Sequence, residues 1–246
     1  MPYLNSAPFF RGLALGDRFS LTDLVPREQG AQAASGAIAA GLLPVVDFFR
    51  LEETFERVGR FGIAVRGRAR SVLLFSRTPI RQLDGAKIAV TEESSTSAIL
   101  LRLVLESRYK LSPAEYTRGQ QADADALLLI GDAALRFQQA NVQYPYETDL
   151  AFEWWLWQHV PFVFAVWAIR KDASPQDKKH LELSLSRSLG VNVSRLDAIA
   201  EESSKALGLP AASLSAYLSG FAYRFSEQEE AGIRRFKELL HESHLL

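Results

Sequence analysis

Around Asp172 the chain changes character, and that change does most to limit its fold. Upstream, short apolar runs alternate with helical stretches; downstream, every segment has helical spacing. Alternation followed by a run of helices specifies an α/β fold with a helical C-terminal tail. Upstream strands are expected at 22–25, 42–46, 60–65, 71–76, 87–90, 115–117, 126–130 and 160–168. The run 42–46, apolar throughout, suits a buried parallel strand. Helices are expected over 29–41 and from Ser94 to about Tyr109, then over 177–189, 193–207, 211–217 and 227–240. Their stops are Gly190, the Gly208-Leu-Pro210 break and Gly220.

With 246 residues the chain has room for one large domain or two modest lobes. Residues 71–77 read as a strand crossing outward and 162–169 as one returning. That predicts a first lobe made of 1–76 and 167–246, with 77–166 inserted as a second lobe. A ligand is expected in the cleft between them.

Several function classes lose support. A net charge of −1 offers no basic field for nucleic acid. The absence of cysteine removes disulfides, thiolate metal sites and cysteine nucleophiles, and four histidines leave little for a histidine metal site. No basic n-region or apolar h-region opens the chain, and no apolar run is long enough to span a bilayer, so a cytoplasmic protein without a membrane partner is expected. The phosphate loop, the G-x-S-x-G nucleophile elbow and H-E-x-x-H are all missing.

Three segments could carry chemistry. Tyr3-Leu4-Asn5 reads as the tail of a buried strand, Ser6-Ala7-Pro8 turns the chain, and Phe9-Phe10 begins a helix. A strand tip before a helix is where open α/β sheets place ligands, and the Asn5 amide offers two donors and an acceptor there. Second, the segment 91–97 (Thr-Glu-Glu-Ser-Ser-Thr-Ser) follows a strand and opens a helix. Ser94, Ser95, Thr96 and Ser97, with the free N–H groups of a helix start, form a cradle for a carboxylate or phosphate. Capping by Ser94 or Ser95 explains the same residues structurally. Third, Gly131-Asp132 follows the strand 126–130: Gly131 suits a close backbone approach or a positive φ, and Asp132 could cap a helix or orient a substrate hydroxyl.

Other conspicuous residues read as structure. Trp154 and Trp157 share a helical face and suit the core. A lone His159 suits a structural role, and Arg66, Arg68 and Arg70 beside Gly67 suit a solvated surface.

Taken in order, 3–8 (Tyr-Leu-Asn-Ser-Ala-Pro), 41–45 (Gly-Leu-Leu-Pro-Val), 71–77 (Ser-Val-Leu-Leu-Phe-Ser-Arg), 94–97, 126–132 (Ala-Leu-Leu-Leu-Ile-Gly-Asp) and 161–167 (Pro-Phe-Val-Phe-Ala-Val-Trp) resemble the chorismate dehydratase family of the futalosine route to menaquinone. The likeness covers roughly residues 3–170; the helical tail matches in type. It implies a type II periplasmic-binding-protein-like fold, with chorismate as the small-molecule partner. The reaction it implies yields 3-[(1-carboxyvinyl)oxy]benzoate and water, with no metal or organic cofactor. By the same likeness Asn5 and Ser94 are the catalytic residues expected, with Ser95, Thr96, Ser97, Gly131 and Asp132 binding substrate. Glu92, Glu93, Asp132 and His159 are base candidates by chemistry alone, and a substrate carboxylate could serve instead.

Relatives usually carry several strand residues before Tyr-Leu-Asn; here only Met1 and Pro2 precede it, so the expectation is either a short first strand or a start that misses residues. Where relatives often carry an acid before Gly41, this chain has Ala39 and Ala40. Two other readings share the fold: a non-catalytic solute-binding protein for a small aromatic or dicarboxylic acid, and the sister dihydroxynaphthoate synthase.

Overall fold

The computed structural model describes residues 3–119 and 123–246; Met1 and Pro2 lie outside them. Two sheets form. In the first, β1 (Ala40–Pro44), β8 (Phe162–Arg170), β2 (Phe55–Val65) and β9 (Phe221–Arg224) lie side by side in that order, antiparallel throughout. In the second the order is β5 (Glu115–Arg118), β4 (Lys87–Val90), β6 (Ala126–Ile130), β3 (Val72–Ser76) and β7 (Tyr146–Asp149). Here β4 runs parallel to both β5 and β6, whereas β3 is antiparallel to β6 and β7. The α/β class and the helical C-terminal region are as expected.

Helices α1 (Ala7–Phe10), α2 (Pro26–Ala34) and α3 (Val45–Arg50) precede the second sheet in sequence. Within it come α4 (Thr96–Arg102), prolonged by a π-helical turn over Leu103–Arg108, and α5 (Gly131–Ala140). The helix α6 (Leu150–Gln158) leads back to β8. The tail holds α7 (Pro175–Asn192), α8 (Leu196–Leu207), α9 (Ala211–Leu218) and α10 (Glu227–Glu242).

The order β5-β4-β6 contains a switch point. From β4 the chain winds one way to β5, then crosses to the other side for β6. In such sheets the crevice outside the carboxyl ends of the strands is left open for ligands. Ser94–Ser97 and Gly131 follow the carboxyl ends of β4 and β6, so parallel pairing brings them to one edge.

Several expectations change. Residues 42–46 do not form a parallel strand: β1 pairs antiparallel with β8, Leu42 opposite Trp167, because β8 returns from the other sheet in the opposing direction, and Val45 already opens α3. Residues 22–25 join no ladder; the Leu24 carbonyl accepts instead from the Gln29 side chain at 3.0 Å. Helix α7 runs through Gly190 to Asn192, whose amide then has carbonyl partners. After Gly220 the chain forms β9, where Phe221 and Tyr223 turn into the core in alternation.

The lobe crossings also sit differently from the limits 76/77 and 166/167. Val72–Ser76 hydrogen-bonds within the second sheet, and β8 from Phe162 onward pairs within the first. The passages between sheets are therefore 66–71 and the stretch from α6 to β8.

A shared core joins the elements. Trp154 is fully buried edge-on to Phe162 and Phe236 and donates its indole N–H to the Val160 carbonyl at 2.9 Å. Trp157 packs against the same core, as its helical spacing implied. At Gly62 a Cβ would meet the Ala165 carbonyl at 2.3 Å, so only glycine lets β2 lie this close to β8. Arg66 and Arg68 are exposed and lie over the rings of Trp155 and Phe152, as surface residues. No described helix is long and apolar enough to cross a membrane.

Candidate active site

Tyr3-Leu4-Asn5 is not a strand tail. Leu4–Ser6 forms a 3-10 turn that runs into α1. Ser6 closes the turn: its N–H and its hydroxyl both donate to the Tyr3 carbonyl, at 3.0 and 2.7 Å. The Leu4 N–H donates to the Asp132 carboxylate at 3.1 Å rather than to a neighbouring strand. A serine able to bond its own backbone competes with extended structure, and here it wins.

Two devices hold this turn in place. Phe9 is fully buried, edge-on to Phe61, Trp167 and Tyr223 with centroids 6.2, 5.9 and 5.8 Å away. From α7, the Asn192 amide donates to the carbonyls of Pro8 and Arg11 at 3.1 and 2.7 Å, and the Ser188 hydroxyl donates to that of Phe9 at 2.8 Å. The helical tail thus braces the N-terminal turn.

A cleft lies between the sheets. Its walls include Tyr3, Asn5, Pro44, Ser71, Ser94, Thr96, Ser97, Gly131 and Phe164, and its volume is about 50 Å³. Of the residues expected to form the site, Asn5, Ser94, Thr96, Ser97 and Gly131 come together here. Ser95 and Asp132 do not.

The Asn5 Oδ1 is buried and has no hydrogen-bond partner. A buried acceptor left unpaired costs about 1–3 kcal/mol, a penalty that a donor from a ligand removes. Ser94 is buried, and its Oγ accepts the Ser97 N–H at 3.0 Å, which leaves its hydroxyl proton to donate. The Arg118 guanidinium fixes the loop by donating to the carbonyls of Thr91 and Ser94 at 3.1 and 3.0 Å. Thr96 Oγ1 accepts the Val46 N–H from α3 at 3.3 Å. Gly131 has φ +57°, and a Cβ there would meet the Tyr3 ring at 3.0 Å, so both anticipated reasons for glycine apply.

Ser95 turns the other way and donates to the Asp47 carboxylate at 2.5 Å. Asp47 is largely buried, and desolvation pushes its carboxyl above the ordinary range against the opposing pull of Ser95, Arg50 and Arg27. Asp132 borders an outer groove with Arg136 and Glu202; burial raises its carboxyl too, and the Leu4 N–H only partly offsets this.

The base candidates fare similarly. Glu92 is exposed and packs toward Gly119. His159 ends α6 in the left-handed conformation, φ 56°, and its N–H donates to the Trp155 carbonyl at 3.0 Å. Glu93 accepts the phenol of Tyr3. No carboxylate or imidazole of the described residues lines the cleft.

Sequence reasoning missed Tyr3 and Ser71 as cleft residues. Tyr3 stood inside the motif that drew attention to Asn5. Ser71 accepts the buried Tyr217 hydroxyl at 2.8 Å, a partner 146 positions away that no local pattern announces.

Comparison with known proteins adds to this geometry. A family model described as menaquinone biosynthesis matches residues 1–242. The chorismate dehydratase of Thermus thermophilus is 31% identical, with 97% of this chain and 92% of that protein covered. Among solved structures, protein AF1704 of Archaeoglobus fulgidus superposes with a TM-score of 0.77 at 17% identity, covering 100% of this chain and 96% of that one. The alkanesulfonate-binding protein SsuA of Xanthomonas axonopodis, bound to MOPS, gives 0.71 at 14% identity over 99% and 90%. These likenesses make the fold periplasmic-binding-protein-like.

Proposed function

Since the chain belongs to the menaquinone-biosynthesis family, we propose that it is a chorismate dehydratase, a hydro-lyase that converts chorismate to 3-[(1-carboxyvinyl)oxy]benzoate and water. The observation that carries this reading is the unpaired, buried Asn5 Oδ1 in the same cleft as the Ser94 hydroxyl.

Chorismate is a cyclohexadiene dicarboxylate. Loss of the ring C3 proton and the C4 hydroxyl leaves an aromatic ring, and aromatisation supplies the driving force. The protein has to hold the dianion, orient it and assist two proton movements. Asn5 Oδ1 accepts a hydrogen bond from the C4 hydroxyl, which keeps its proton, while the Asn5 NH₂ remains a donor for a carboxylate. Ser94 donates to a carboxylate or to the departing oxygen, and Ser97 lies beside it. Because no carboxylate or imidazole of the described residues lines the cleft, the C3 proton is assigned to a carboxylate of the substrate itself. That proton and the C4 hydroxyl then leave together as water, so atoms and charge balance.

A cleft of about 50 Å³ holds a few waters and no six-membered ring. Substrate therefore enters only once the lobes part, which breaks the bonds across the cleft, among them those from Ser95 to Asp47, from Val46 to Thr96 and from Tyr3 to Glu93, and these form again on closure. Reclosure excludes water around the bound dianion.

The test is incubation of purified protein with chorismate and chromatography of the products. The reading expects the enolpyruvyl benzoate well above the uncatalysed background. Tight binding without turnover would make the chain a solute-binding protein on the same fold.

A further inference from the structure

We infer that Tyr3 and Glu93 form a positioning pair, a strut across the cleft that sets the spacing between Asn5 and Ser94. This inference rests on the dehydratase reading for its kinetic consequence. Its structural content stands on the geometry alone.

Tyr3 is the only ionisable residue among the described residues that line the cleft. Its hydroxyl donates to the Glu93 carboxylate, from the N-terminal turn to the loop after β4. Asn5 lies two positions beyond Tyr3 in that turn, and Ser94 follows Glu93 directly. One hydrogen bond therefore ties together the two short segments that carry the proposed catalytic side chains.

Both ends are fixed. The Tyr3 ring lies against Gly131, where even a methyl group would come within 3.0 Å of it. The Tyr3 carbonyl holds Ser6. On the other side, the Glu93 carbonyl accepts the Arg27 N–H from α2 at 3.1 Å, and its N–H donates to the Thr91 hydroxyl at 3.3 Å. A bond between two anchored groups transmits position, whereas one between mobile side chains does not.

The same geometry separates positioning from proton transfer. Burial and the neighbouring Glu93 and Asp132 carboxylates push the Tyr3 phenol far above its ordinary value. It stays a phenol at any working pH, so it donates a hydrogen bond and cannot act as a base. Glu93 needs only an acceptor oxygen for this task, and glutamine supplies one.

The experiment is steady-state turnover of chorismate by Tyr3→Phe, Glu93→Ala, Glu93→Gln and the Tyr3→Phe/Glu93→Ala double variant, below their melting temperatures. Tyr3→Phe and Glu93→Ala should each lower kcat at least about fivefold with KM within about twofold. The double variant should be no worse than either, because one bond is lost once. Glu93→Gln should keep kcat within about threefold and leave its pH profile unchanged. If Tyr3→Phe works at the wild-type rate, the strut is wrong. If Glu93→Gln is as slow as Glu93→Ala, Glu93 transfers a proton and positioning is overturned. Urea midpoints of the same four variants need no substrate: non-additive shifts are expected, and strictly additive ones overturn the strut even where wild-type protein turns nothing over. Absent wild-type turnover counts against the dehydratase reading alone.

Discussion

The Asp149 carboxylate accepts the backbone N–H of Arg70 at 2.7 Å. Arg70 lies on the outgoing passage between the sheets, in the left-handed conformation at φ 62°. Asp149 ends β7 and caps α6, accepting the N–H groups of Ala151 and Phe152 at 3.0 and 3.1 Å. One buried carboxylate thus joins the passage that leaves the first sheet to the helix that leads back to it.

Asp149→Asn tests that junction. The amide keeps one acceptor for the α6 cap but turns an NH₂ toward the Arg70 N–H, so two donors face each other. The variant should lose about 1–3 kcal/mol of unfolding free energy. Urea denaturation measures it; an unchanged midpoint would show that the two passages are not coupled here.

Asn192→Ala tests the brace on the N-terminal turn. It strips a donor from the buried Pro8 carbonyl and from the half-buried Arg11 carbonyl, which keeps the Ser188 hydroxyl at 3.2 Å. About 1–3 kcal/mol of stability should go with it. Because the freed turn carries Asn5, kcat/KM for chorismate should also fall severalfold at temperatures where the variant is folded. Lost stability with wild-type kcat/KM would mean the tail supports the fold without supporting the site.

Asp47 gives a prediction in pH. Desolvation raises its carboxyl in the folded chain, so between the unfolded value, about 3.9, and the folded one the native state binds more protons. Stability then falls as pH rises through that window, since the slope follows the protons bound by the unfolded state minus those bound by the native. The contribution is fully present below the unfolded value and lost above the folded one. Urea midpoints of wild type and Asp47→Asn, compared from pH 3.5 upward, should move in favour of the variant as pH rises. A constant difference would contradict the assignment.

How much could be read beforehand follows from the range of each signal. Residues 126–130 and 87–90 carry apolar runs with turn residues behind them, and these local patterns become β6 and β4. Their parallel pairing then carries Ser94, Thr96, Ser97 and Gly131 to one edge. Ser95 was misplaced because alternate residues of a helix start look alike in sequence, and the nearby Asp47 decides which hydroxyl turns outward. Asp132 was misplaced because its partner, the Leu4 N–H, belongs to a turn that reads as a strand until Ser6 is seen bonding back to Tyr3. The β9 strand has a faint signal of its own, alternation in Phe221-Ala222-Tyr223, hidden among helices on either side. Partners such as Tyr217 with Ser71 are set by the assembled sheets.

In the proposed mechanism Asn5 and Ser94 act together on chorismate in one cleft. The most direct measurement is kcat/KM for chorismate in wild type, Asn5→Ala and Ser94→Ala, with product identified by chromatography. Wild type should form 3-[(1-carboxyvinyl)oxy]benzoate, and each variant should lose at least about tenfold, about 1.4 kcal/mol of transition-state stabilisation. Wild-type protein that forms no product, or variants that keep full activity, would contradict it.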